Sequence, residues 1–227
     1  MKKTIIYLLV SGLSFISWSQ PSVSVKAGAN LHCQSHLDEA TTDSWDLDFV
    51  AYNSPYRVKS VKNIKYILGA NAGVSVNIPV NAKWIFMPGI DFNIKGGRAE
   101  GTYGSGSQSF PFWGKFTFTY IDIPLVMQYW LTEQFYLELG PDIGFMLTAN
   151  YEDNDNGTPY QDKSKEIYNK TEVSMTGGGG YMFKKTGFGV FGRYIHGLSK
   201  VNVDESYYSK VRNSTGQIGF FYKIKKK

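Results

Sequence analysis

One cysteine, Cys33, is all the chain has, so no intramolecular disulfide can form, and the residue reads as a quiet thiol near the end of a first strand. Histidines number three, His32, His36 and His196, and only the first two are near each other, without ligand spacing for a metal. No Gly-x-Ser-x-Gly occurs, and no histidine has an identifiable Ser and Asp partner, so a hydrolase's nucleophile, base and orienter are missing. The run Gly177 to Gly180 lacks the following Gly-Lys-Ser/Thr of a phosphate loop. Glu152 to Gly157 has the composition of a calcium loop, but Lys163 stands where the bidentate Glu belongs, so it reads as a solvated turn-forming loop. The expectation is no catalytic residue, no metal ligand and no cofactor.

Long apolar runs are scarce too. The only one follows Met1-Lys2-Lys3: Ile5 to Val10 and Leu13 to Ile16 form a short apolar core, and Ser17-Trp18-Ser19-Gln20 forms a small-residue exit. That is the order of a secretory signal, too short for a membrane helix of about 20 residues. Residues 1–20 are therefore expected to be a cleaved signal peptide and 21–227 a single domain. Any span of a membrane must then use strands. Charge of one sign is also lacking. Without Lys2, Lys3 and the four lysines Lys223 and Lys225 to Lys227, the formal charge of +5 falls to −1, which excludes a body-wide basic field and nucleic acid as a partner.

What is present is alternation. In 135–147 the odd positions, Phe135, Leu137, Leu139, Pro141, Ile143, Phe145 and Leu147, are apolar, while Glu138, Gly140, Asp142 and Gly144 are polar or small. Period two is a β-strand with one apolar face. About nine to eleven such residues cross a bilayer when tilted by about 45°. Eight segments share the pattern: Ser22 to Gln34, Lys65 to Ile78, Lys83 to Gly96, Phe116 to Leu131, Phe135 to Asn150, Thr171 to Phe183, Phe188 to Lys200 and Gly216 to Lys225, the last starting near Lys210. The connections alternate long and short, beginning with a long one. Outer-membrane barrels have short periplasmic turns and long outer loops, so the order predicts an all-β, eight-stranded, antiparallel, up-and-down transmembrane β-barrel in the outer membrane, with both termini periplasmic.

Parity sorts the remaining residues. Leu68, Val74, Phe86, Ile90, Ile123 and Ile218 face lipid, whereas Lys26, Asp91, Lys95, Asp122, Glu138, Asp142, Glu172, Arg193 and Lys223 face inward as a lumen charge network. A basic residue facing lipid at the midplane costs about 2 to 4 kcal/mol, which forces that placement. Arg193 is expected to balance Asp122 and Glu138. By the same parity Leu139→Arg is damaging and Gly140→Ser mild. Pro88, Pro124 and Pro141 fall inside strands, where proline removes a donor, and bulges or positions near strand ends are expected to absorb them. The glycines of strand six are expected to make room for rings such as Phe191 and Phe221. In the first long connection, Trp45, Phe49, Tyr52 and Tyr56 form a candidate interaction surface.

Tyr120-Ile121-Asp122-Ile123-Pro124-Leu125, Phe135 to Pro141, Gly189 to Leu198 and Gln217 to Ile224 resemble the PorT-like outer-membrane β-barrel family of Bacteroidetes. The resemblance covers nearly all of the chain after residue 20. It implies an eight-stranded outer-membrane barrel, and one member of that family is tied to type IX protein secretion. An eight-stranded interior holds side chains or one small ligand and no open channel. The expected role is structural, accessory or protein-binding. The alternatives are a component of type IX secretion or a narrow barrel for small solutes. Expected partners are outer-membrane lipid, the barrel-assembly machinery and other envelope or secretion proteins.

Overall fold

A computed structural model of the chain describes residues 20–35, 57–155, 158–162, 168–201 and 211–224. The expected signal segment lies outside these residues except for Gln20. The described chain forms strands β1 (Ser22–Ser35), β2 (Arg57–Lys65), β3 (Ile67–Pro79), β4 (Trp84–Gly104), β5 (Phe110–Trp130), β6 (Phe135–Asp155), β7 (Thr158–Asp162), β8 (Thr171–Met182), β9 (Phe188–Gly197) and β10 (Arg212–Ile224). Neighbours run β4, β3, β1, β10, β9, β8, β6, β5, and β5 pairs back onto β4. Eight antiparallel strands thus close into a ring, which leaves no unpaired edge at membrane depth.

β2 and β7 extend the ring rather than belong to it. β2 runs into β3 across Tyr66 and pairs with the distal half of β4, while β7 folds back on the last residues of β6. β4, β5 and β6 are 21 residues each, about twice what a tilted crossing needs. Their excess, with β2 and β7, builds a five-stranded sheet projecting past one end of the barrel, here the hairpin end. The expected loop 97–115 is therefore strand apart from a tight turn, in which Gln108 donates to Ser105 O at 3.0 Å. Parts of the expected loops 35–64 and 151–170 are strand too. Outside the bilayer neither face of a sheet has to be apolar, so reading for one apolar face stops short of these extensions.

The opposite, turn end has three short connections, Val80–Lys83, Leu131–Gln134 and Phe183–Gly187. In the last, Lys185 takes a φ of 67°, a left-handed conformation that costs a non-glycine residue about 1 to 2 kcal/mol.

Between the ends, the outward face is apolar. Leu68, Ile90, Leu139, Ile218 and Phe220 are the most open side chains of this belt, with Leu68 78% and Ile218 70% exposed. Only a lipid solvent makes such a surface stable. Rings gather at its rims: Trp84 on Tyr129 (4.8 Å), Phe188 on Tyr222 (4.8 Å), and Tyr194 on His196 (6.2 Å). The apolar phase of β6 ends at a bulge between the pairs Thr119–Thr148 and Tyr120–Met146, where Leu147 is the extra residue. Beyond it Ala149 turns inward. The ladder also breaks beside Pro88 and Pro141, then resumes in the same register, so these prolines cost hydrogen bonds but shift no strand. Gly140 departs from the parity expectation. A Cβ there meets the backbone of Leu125 and Val126, so Gly140→Ser is not a mild change.

Candidate functional site: a charged lumen closed at both ends

Period two puts Lys26, Asp91, Lys95, Asp122, Glu138, Asp142, Glu172 and Arg193 inside the ring, and all eight are buried. Charges in so narrow a space survive only when paired and hydrogen-bonded. Seven of them form two groups. In the first, Arg193 binds Glu138 through Nε and Nη2, the latter at 3.2 Å, and its Nη1 stands 3.7 Å from Asp91 Oδ2. Lys26 pairs with the same Asp91, and Gln128 donates to Glu138 Oε2 at 3.1 Å. In the second, Lys95 Nζ lies 3.0 Å from Asp122 and 3.6 Å from Glu172. Asn93 donates to Asp122 Oδ2 at 2.5 Å, Asn213 to Glu172 Oε2 at 2.7 Å, and Ser174 to Glu172 Oε1 at 2.8 Å.

Two expectations about this network need correction. Asp122 is neutralised by Lys95, not Arg193, because Lys95 reaches across from neighbouring β4 while Arg193 is taken up by Glu138 and Asp91. Lys223 does not join the network. It sits half-buried near the turn-end mouth and makes no ion pair with a described residue. Asp142 is the carboxylate without a cation: Thr176 donates to its Oδ2 at 3.5 Å, and Oδ1 is enclosed without a donor.

Glycines let these partners meet. Gly178 of β8 pairs with Glu138 on one side and Arg193 on the other, so those two side chains close over a residue that has none. A Cβ on Gly178 meets Gly192 O and the Arg193 side chain. Gly73 of β3 stands in the same way between Lys26 and Asp91. Gly144 of β6 lies between Asp122 and Glu172, both of which reach Lys95. The β8 glycines therefore accommodate Arg193 above Gly178 and the Tyr136 ring above Gly180, not the expected Phe191 and Phe221. Those two rings lie against Gly219 and Gly189 instead. The signal was present in the sequence as inward-phase glycines in strands flanked by inward-phase charges, and it needs the register to be read.

Other described side chains pack much of the remaining lumen. Asn71 donates to Asn30, Asn30 to Asn93, and Gln217 to Asn93, at 2.6, 3.2 and 2.8 Å. His32 contacts Thr215 Oγ1 and Asn213, but this imidazole and hydroxyl are sealed from solvent, so the trio packs the lumen and has no access to a substrate. Toward the hairpin end Phe118, Tyr120, Met146, Tyr168, Val201 and Val211 form an apolar plug, with Phe118 edge-on to Tyr168 at 4.9 Å. This plug was not foreseen, since Tyr168 and Val201 lie in segments expected to be loop. Toward the turn end the cavity lined by Lys26, Gln128, Tyr136 and Arg193 is about 20 Å³, the size of one water. The candidate interaction residues Trp45, Phe49, Tyr52 and Tyr56 lie outside the described residues.

A family model described as an outer membrane protein beta-barrel domain matches residues 18–202. The chain belongs to that family. This outer-membrane barrel resembles several solved structures in fold. Ail, the attachment invasion locus protein of Yersinia pestis, is 13% identical over 90% of this chain and 97% of its own, with a TM-score of 0.39. Neisserial surface protein A is 14% identical over 91% of this chain and 100% of its own, also at 0.39. The outer membrane protease OmpT of Escherichia coli is 12% identical over 90% and 96%, at 0.35. No protein of curated function matches the barrel in sequence.

Proposed function

We propose that this outer-membrane barrel conducts no solute and works as an accessory protein whose projecting hairpin-end sheet binds other envelope proteins. The turn end and both termini then face the periplasm, as short turns do in such barrels. The observation that carries the reading is a lumen in which the described residues pair their charges and pack an apolar plug, while three 21-residue strands carry a sheet beyond the barrel.

The sheet has the chemistry of a recognition surface. Arg98 stacks on the Trp113 ring at 4.6 Å, and Phe116 packs on Tyr151 at 4.8 Å. Arginine and large aromatics dominate protein interfaces because they bury much area with few rotamers. The segment with Trp45, Phe49, Tyr52 and Tyr56 joins β1 to β2 at this same end, and we assign it to the same surface. The resemblance to PorT-like barrels favours partners among secretion or other envelope proteins. Chemical crosslinking in intact cells, followed by isolation of the barrel, tests the reading. The expected result is a defined set of envelope partners that is lost when Arg98 and Trp113 are both changed to Ala. Partners retained in full by that variant would contradict it.

A further inference from the structure

We infer that the turn-end mouth of the barrel is a binding site for a small amphiphilic anion, a phosphate or carboxylate carried on an apolar chain. Two open cavities meet there, of about 680 and about 380 Å³, and they share Glu133, Met182 and Lys223. Their size is that of ordinary small-ligand sites. The first has an apolar floor of Ile85, Trp130, Leu131 and Met182.

The charge around this floor is one-sided. Among the described residues lining the two cavities are Lys83, Lys184, Lys185 and Lys223, with Glu133 as the one carboxylate. This contrasts with the lumen a few residues away, where each of the three buried cations has a carboxylate. Lys223 is the centre of the site. It lines both cavities and the enclosed pocket below them, and makes no ion pair with a described residue. A half-buried ammonium with no described counter-ion has lost part of its hydration and gained no partner, so part of the desolvation cost of pairing it with an anion has already been met by the fold. Trp130 lines the first cavity and the enclosed pocket, and its indole N–H is enclosed without an acceptor.

The turn adds a further sign. Lys185 occupies a left-handed position that glycine or asparagine fills at lower cost, followed at Gly187 by a second positive φ of 81°. That turn therefore places Lys185 at the rim at some cost to the backbone. Four ammonium groups around an apolar floor suit a ligand with a compact anionic head and a short greasy body, and disfavour a neutral sugar or a cation.

The test uses the full-length mature barrel in phosphatidylcholine nanodiscs, titrated calorimetrically with hexyl phosphate and, separately, with hexanol, empty discs being subtracted. The expected result is saturable binding of hexyl phosphate only, weakened roughly tenfold in Lys223→Gln, as fits loss of a charge-assisted contact. Hexanol binding equally well, or unchanged affinity in a Lys223→Gln barrel that keeps its heat-modifiable mobility, would overturn the inference. Should that variant not fold, the turn variant Lys184→Ser with Lys185→Gly, which relieves the backbone, is expected to bind a few-fold more weakly, and unchanged affinity there overturns the inference as well. Discs in which a third of the lipid is phosphatidylglycerol identify the natural source. Weaker apparent binding of hexyl phosphate supports the site with a lipid headgroup as its ligand, and unchanged binding supports it with a soluble anion.

Discussion

Arg193 on β9 and Glu138 on β6 meet across an intervening strand, directly above Gly178. Side chains on next-but-one strands are ordinarily kept apart by the residue between them. Here that residue has no Cβ, and two guanidinium N–H groups reach one carboxylate. Breaking a buried pair by removing one partner costs about 3 to 5 kcal/mol, because the other charge stays buried and uncompensated.

The same cost is expected from filling the gap. Gly178→Val should destabilise the folded barrel by about 3 kcal/mol or more, read as a shift in a urea unfolding titration in lipid. Gly192→Ala is the control, since a Cβ there meets only Gln217 O at 4.0 Å, and should change stability by less than about 1 kcal/mol. Equal loss in both would mean that backbone freedom, not the ion pair, accounts for the glycine.

Arg193→Met leaves Glu138 and Asp91 short of a cation. Adding Glu138→Gln should restore much of the loss, because Lys26 still balances Asp91. Adding Asp122→Asn instead should restore little, because Asp122 is held by Lys95. The order of rescue, measured by the same titration, separates the two groups.

Leu139→Arg places a guanidinium in lipid from a side chain 61% exposed, and should cost about 2 to 4 kcal/mol if it lies near the midplane. Leu139→Val keeps an apolar face and should be close to neutral. Heat-modifiable mobility after refolding checks both.

Beyond the bilayer, Lys65 Nζ lies 2.7 Å from Glu100 Oε2, tying β2 to β4, and Arg98 adds a contact at 2.9 Å. The hydrogen bond from Lys65 leads in holding Glu100 below the usual 4.5. A depressed carboxylate stabilises above its unfolded value, and that contribution fades as pH falls through the lowered one. Protection factors of the β2 amides should therefore decline modestly below pH 4.5, and Glu100→Gln should flatten the profile. An unchanged profile in the variant would assign the decline elsewhere.

How legible this was depended on the solvent each residue faces. Lipid forces one apolar face, so Leu68, Leu139 and Ile218 declared the crossing strands, and the inward charges followed by parity. Who pairs with whom was not legible, because it depends on register: Arg193 and Glu138 are 55 residues apart and connected through Gly178 alone. The projecting strands were hidden because water on both sides imposes no such pattern. Pro88, Pro124 and Pro141 were expected to need bulges or strand ends, whereas the structure keeps them inside strands with the register intact on either side.

Single-channel recording in planar bilayers tests the central claim, that the lumen is closed by its own charges and rings. The purified barrel at high salt should give no discrete conductance steps. Arg193→Ala combined with Glu138→Ala and Phe118→Ala, which empties the pair and thins the plug, should begin to give small ones if the variant folds. Regular steps from the unmodified barrel would contradict the account.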